Sequence, residues 1–214
     1  DRFLTKLTGS RVEVTYNLMR TFVAAFAFVY PFSLVRQMTK DRLYGRLDGK
    51  KKYIPSLAGV TAGIAVSIAG NVHYIVYRCV LPLIRKIQGV AETASYWFPD
   101  ATRYIGYNPD VPDKTIHEFP CYSFVLGDLH AHVVNVMFVL FLVGLLYAWM
   151  RSVRMREAVI MKPGRKQFWK KQLLIPHILL AAVMIGMFRF TNFWDFIIYF
   201  VAVSYTHLRA HETR

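Results

Sequence analysis

From Val133 to Met150 the chain runs eighteen residues without a charged side chain, and Asn135 is the single strongly polar interruption. A helix of that length rises roughly 27 Å, close to the hydrocarbon thickness of a bilayer. A soluble chain of 214 residues would spread its apolar side chains along amphipathic elements, whereas here they come in blocks. Further blocks lie at about 21–35, 54–72 and 173–188, and another begins at 193–203. Pro31 and Pro176 interrupt or flank two of them, which membrane spans tolerate when neighbours satisfy the freed carbonyl. The predicted fold class is all-α: a polytopic transmembrane helix bundle of about four spans plus a truncated fifth, with one long outer loop. Residues 1–203 read as a fragment of one multi-pass membrane domain.

A net charge of +14 would raise nucleic acid as a partner for a soluble domain, but its distribution argues for topology instead. Arg36–Lys52 carries seven Lys and Arg against Asp41 and Asp48, and Arg151–Lys171 carries eight against Glu157. The long segment Arg85–His132 is slightly acidic. Short basic loops stay cytoplasmic, so the first two segments are expected inside, while Arg85–His132 and the Arg189–Asp195 turn are expected outside the cell membrane. The partner implied by the charge is membrane lipid, with no nucleic acid.

The chain has no initiator Met and no signal-peptide pattern before the first block. Its end, residues 204–214, resembles a translated sequencing-adapter read-through, so His207 and His211 are set aside although their spacing suits a metal on a helix. Cys79 and Cys121 form no CxxC pattern, and a disulfide between them would need both on the outer face.

Ahead of the outer segment, His73–Lys86 mixes aromatics, Arg78 and aliphatics over a length too short to span, and either lies in the interface or extends the second helix. Proline and aspartate then mark a loop from Asn108 to Asp113, whose aromatic surroundings argue against disorder. The loop closes on Asp128, His130 and His132, just before the clearest span. If that stretch is extended, the three side chains project to one side and could ligate a divalent metal ion or handle a phosphate. If it is helical, only Asp128 and His132 share a face. Gly127-Asp128 also reads as a helix start with Asp128 as N-cap, which leaves two histidines unexplained. Glu118, between two aromatic-proline segments, could fold back toward the cluster. In the second outer segment Phe193 and Trp194 suit an interfacial belt, and Asp195 is either a helix cap or a site residue. His177 fits a packed interhelical polar residue better than a ligand.

The run Glu118-Phe119-Pro120-Cys121-Tyr122-Ser123-Phe124-Val125-Leu126-Gly127-Asp128-Leu129-His130-Ala131-His132 resembles the EFPFFSFLLGDLHAH signature of the YYY-type membrane proteins, uncharacterised multi-pass proteins of archaea and bacteria. Asp100-Ala101-Thr102-Arg103 is similar to that family's short segment ending in Arg. Thr191-Asn192-Phe193-Trp194-Asp195-Phe196 resembles its TNTWDFPTY signature. His117 stands where the family has Asn, and Ile197-Ile198 replace its Pro-Thr.

The resemblance implies a GT-C type glycosyltransferase that takes a sugar from a polyprenyl-phosphate carrier on the outer face. Asp128 or Glu118 would then act as base, with His130 beside them as a further catalytic residue. Arg103, His130 or a bound cation would stabilise the leaving phosphate, and Asn192, Trp194 and Asp195 would contact substrate. A divalent metal on Asp128, His130 and His132 is the cofactor this would take. The essential acid of such a family can also lie in a loop upstream of this fragment. Two other classes remain: a transporter or scaffold with an outer ion or ligand site, and a membrane metallohydrolase.

Overall fold

The computed structural model describes residues 2–90, 96–103, 105–107, 109–157 and 176–212, without the side chains of 2–4, 50, 153–157 and 206–212. Most of the Arg151–Lys171 loop and the first residues of the expected 173–188 span lie outside the described residues. So do the side chains of His207 and His211.

The chain is all-α. The helices are α1 (Arg2–Thr8), α2 (Val12–Arg42), α3 (Ile54–Ser67), α4 (Leu81–Gln88), α5 (Pro120–Leu126), α6 (Ala131–Glu157), α7 (Pro176–Thr191) and α8 (Phe193–Glu212). Short 3-10 turns at Gly49–Tyr53 and Phe98–Thr102 and a π-helical segment at Ile75–Val80 complete the order. Among the described residues the only β-type pairing is an isolated bridge between Tyr107 and Asp110. Among the described residues two helices, Val12–Arg42 and Ala131–Ser152, are long and apolar enough to cross a membrane, and Pro176–Thr191 and Phe193–Tyr205 are shorter apolar helices.

The chain divides into two compact units, Asp1–Arg20 with Ile64–Leu129, and Thr21–Gly63 with His130–Arg214. In the second unit the core is Leu142 from α6 with Ala181, Met184, Ile185 and Phe188 from α7. Phe196 and Tyr199 of α8 pack against it. Apolar side chains elsewhere on α7 and α8, such as Phe200 and Val183, remain exposed, as on helices whose solvent is lipid.

Helices α2 and α3 approach closely through Gly59 and Gly63, four residues apart on one face of α3. A Cβ on Gly59 would lie 2.7 Å from the Phe32 carbonyl oxygen, and one on Gly63 would lie 2.7 Å from the Phe28 ring. The two phenylalanine rings stack at 6.2 Å along α2, so small residues on one helix receive large flat ones from the other. Arg36 Nε donates to Ser56 Oγ beside this contact.

At the end of the second unit that holds the first basic segment, Asp41 gathers three partners. Gln37 Nε2 donates to Oδ1 at 2.9 Å, Tyr147 OH donates to Oδ2 at 2.8 Å, and Arg151 Nε pairs with Oδ2 at 3.2 Å. The start of the second basic segment is thereby tied to the first, at the same end of the unit.

In the first unit, α3 stops at Ser67 within the expected 54–72 block. Ile68 and Ala69 both donate backbone N–H to Ile64 O, and Gly70 lies where a Cβ would run into the Phe119 ring. Asn71 then turns the chain, donating to Ala101 O and accepting from His73 N at 3.2 Å. The His73–Lys86 segment consequently forms an element of its own. Rings of Tyr74, Phe98, Phe119 and Tyr122 pack in sequence, at centroid spacings of 6.1, 6.4 and 5.8 Å. This aromatic chain gives the long loop its order.

Candidate functional site

The glycine-aspartate pair of the first signature closes a helix. Gly127 adopts the left-handed conformation (φ 72°) at the C-terminus of α5, and its N–H and that of Asp128 both donate to Ser123 O. The left-handed φ is what favours glycine here; a Cβ would also meet the tip of the Arg20 guanidinium, a flexible group that can move aside. The expected N-cap role of Asp128 is taken by His130, whose carbonyl accepts from Val133 N and Val134 N at 3.1 Å each. Tyr16 fastens the turn from α2: its hydroxyl donates to Gly127 O at 2.8 Å and accepts from Leu129 N at 3.1 Å. Asp128 is exposed on a backbone held at both neighbours.

Glu118 precedes Phe119, the N-cap of α5, while Asp128 follows its last turn. Seven helical residues, roughly 10 Å of rise, separate the two ends, so the loop does not fold Glu118 back onto Asp128. Upstream, His117 N donates to Thr102 O at 3.0 Å and Thr115 N to Ile105 O at 3.3 Å, which docks this strand-like stretch beside Arg103. The Arg103 guanidinium sits 4.9 Å from the centre of the Trp97 ring. Its Nη1 is buried with no hydrogen-bond partner among the described residues, an arrangement that leaves a cationic donor for an anionic ligand.

Two groups of this unit have displaced acidities. Burial, reinforced by Asp100 and Tyr74, raises the Tyr96 phenol above its usual value, so it stays neutral while sharing a 3.2 Å hydrogen bond with His73 Nδ1. Burial raises the Cys121 thiol as well, and Cys79 and Cys121 are both free.

The second unit carries the other signature. Asn192 is the N-cap of α8, its carbonyl accepting from Phe196 N at 3.2 Å, and Asp195 occupies the third helical position. Asn192 Nδ2 donates to Asp195 Oδ2 at 2.9 Å. The Asn135 amide, fully buried in α6, donates to the same oxygen, and Thr191 Oγ1 donates to Asn135 Oδ1 at 3.0 Å. Two amides therefore grip one carboxylate oxygen, and among the described residues no donor reaches Asp195 Oδ1. Trp194 is 71 % exposed, as an interfacial aromatic would be. At the start of α6 the His130 and His132 rings lie parallel, 5.7 Å apart.

Among the described residues no group of three His, Cys, Asp or Glu side chains could hold a metal ion. The backbone explains why Asp128, His130 and His132 do not qualify. The irregular stretch ends at His130 and the helix begins at Ala131, so the two-residue alternation the ligand set needed is broken.

Three participants escaped the sequence reading. Asn135 was legible as the one polar residue in an apolar span, a pattern that itself marks a site or an interhelical bond. Thr191 opens the second signature yet received no role. Tyr16, more than a hundred residues from the turn it fastens, carried no local signal. The family described as "Uncharacterized membrane protein (DUF2298)" matches residues 2–213, and the chain belongs to that family. No curated protein and no solved structure matches.

Proposed function

We propose that this member of an uncharacterised membrane protein family is a glycosyltransferase that takes its sugar from a polyprenyl-phosphate donor at the extracytoplasmic membrane boundary. The observation that carries the reading is the Asp195 carboxylate, one oxygen of which is gripped by the Asn135 and Asn192 amides while no donor among the described residues reaches the other. A carboxylate at a low-dielectric boundary is costly to place and so marks a candidate site, and a clamped carboxylate is pre-oriented to accept a hydrogen bond from a sugar or lipid hydroxyl.

In the transfer, the acceptor oxygen bonds to the sugar's anomeric carbon and the bond from that carbon to the carrier phosphate oxygen breaks. The electron pair leaves on the phosphate, and the acceptor proton passes to a carboxylate. The resemblance offers Asp128 for that proton and Arg103, whose Nη1 is buried without a partner among the described residues, for the phosphate; in the second unit, taken by itself, Asp195 is the group that would orient an acceptor hydroxyl. His130 and Glu118 support charge balance, and Asn192 and Trp194 line the acceptor side. The described residues do not fit a metal, so no step is routed through one.

The test uses the full-length protein in membranes with labelled polyprenyl-phosphate sugars. Transfer is expected from the wild type, with a loss of at least about 100-fold for Asp195→Asn and for Asp128→Asn, the range of one acid-base group. Transfer that survives both changes removes these carboxylates from the mechanism. No transfer from any donor shifts the reading to a transporter or scaffold with an ion or ligand site.

A further inference from the structure

The segment from Tyr74 to Gln88 is the one helical stretch of the first unit beyond α3 that buries nothing: neither the π-helical Ile75–Val80 nor α4 contains a buried residue. Its apolar side chains are large and open to the outside, Leu83 at 58 % and Ile87 at 78 % exposure, with Val80 and Ile84 also exposed. In water such a patch would be unfavourable, and contiguous exposed apolar surface marks a binding face.

The face has a partner written into its chemistry. At 100° per residue, Leu83, Ile84 and Ile87 fall within an arc of about 100°, while Arg85 projects to roughly the opposite side of α4 and Lys86 to the flank of the arc, about 60° from Leu83. Arg78 adds a third cation one element upstream; it and Lys86 are exposed and Arg85 is half-buried. The helix ends on Gly89 in the left-handed conformation, with Arg85 and Lys86 in its last turn where the helix dipole favours cations. One side is hydrocarbon-like and the other is cationic, which matches the boundary between acyl chains and anionic phosphate headgroups and matches no water-filled setting.

The segment is also anchored. Tyr74 meets Phe98 and Tyr96 edge-on, and His73 stacks on Tyr77 at 4.3 Å, so its N-terminal end is fixed to the aromatic chain of the unit. Tyr74, Tyr77 and Trp97 are themselves exposed, the residue types that settle at headgroup depth.

We infer that Tyr74–Gln88 is an interfacial helix lying in the plane of the membrane, with Val80, Leu83, Ile84 and Ile87 inserted among acyl chains and Arg78, Arg85 and Lys86 engaging anionic lipid phosphates. The occupant of the face is the bilayer surface. This holds whether or not the protein transfers sugar, because it draws on residues outside the proposed chemistry.

The experiment places single cysteines by Leu83→Cys, Ile87→Cys or Arg85→Cys in the full chain carrying Cys79→Ser and Cys121→Ser. Each is labelled with an environment-sensitive fluorophore in vesicles of phosphatidylglycerol with phosphatidylcholine. Labels at positions 83 and 87 should be quenched at least about threefold more by chain-doxyl lipid than the label at 85, with iodide quenching in the reverse order, as expected for side chains on opposite sides of an interfacial helix. Equal iodide quenching at all three positions overturns the proposal. Shielding of 83 and 87 from both quenchers also overturns it, since a protein, including a second copy of this chain, would then cover the face. The headgroup part is read separately with Arg85→Gln combined with Lys86→Gln, which should reduce lipid quenching at position 87 in anionic vesicles and leave it unchanged in phosphatidylcholine alone. No reduction, or equal reduction in both, refutes the phosphate contacts.

Discussion

Replacing Asn135 with alanine tests the carboxylate clamp most directly, because the side chain has no solvent exposure and both ends of its amide are used. The substitution removes a charge-assisted donor from Asp195 Oδ2 and the acceptor of Thr191 Oγ1. Thr191 retains the Met187 carbonyl at 3.3 Å, so its loss is partial, whereas among the described donors Asp195 keeps only Asn192. A hydrogen bond to a charged group is worth about 1.5–3 kcal/mol, against an average near 0.6 kcal/mol for polar interhelical pairs measured in a membrane protein. A double-mutant cycle of Asn135→Ala with Asp195→Ala isolates the shared term from the cavity each change creates. The coupling should be about 1.5–3 kcal/mol. The assay is reversible unfolding of the full chain by dodecyl sulfate titration from mixed micelles, with helical circular dichroism as the readout. A coupling below about 0.5 kcal/mol, the usual error of additivity, would refute the clamp as an energetic unit.

Other consequences are as direct. Tyr16→Phe strips Gly127 O and Leu129 N of a shared partner and should cost about 1–3 kcal/mol in the same unfolding assay, with no loss meaning that the turn is held by other contacts. Gly59→Ala should destabilise by about 1–3 kcal/mol and by more than Gly63→Ala, because the first new methyl meets a backbone carbonyl and the second a side-chain ring that can shift. The opposite order would contradict the close approach of α2 and α3. Burial favours the neutral Cys121 thiol, so in Cys79→Ser protein its alkylation should rise with pH through a midpoint above that of a free cysteine peptide. A midpoint at or below the peptide's would contradict the burial.

Helix content was legible because a bilayer-length apolar run such as Val133–Met150 has few other solutions. Ends were less so. The block at 54–72 reads as one apolar segment, but Gly70 must admit the Phe119 ring and Asn71 must reach Ala101 O, and both partners are remote in sequence. The charge count grouped Arg36–Lys52 with Arg151–Lys171 without naming a contact, and the pairing of Asp41 with Arg151 supplies one. The first signature misled through its glycine. Gly127-Asp128 fits a helix start and a helix end equally well by residue type, and the choice falls to a left-handed φ closed over Arg20, which sits in another helix. In the second signature Asp195 could be read as cap or site residue from sequence, and the structure shows it drawing on both Asn192, the cap, and Asn135, an interhelical donor no local pattern would pair with it.

The grip of Tyr16 on Gly127 has a consequence in time. The two residues are 111 positions apart, so at ribosomal rates of about 5–20 residues per second the hydroxyl waits roughly 5–20 s for its partner to be made. During that interval α2 can form by itself, since its backbone bonds are local, but the turn that carries Asp128 cannot set. The geometry of the first signature is therefore among the late events in the birth of its unit, and an interruption of synthesis anywhere before Gly127 yields a formed helix without the turn it was built to hold.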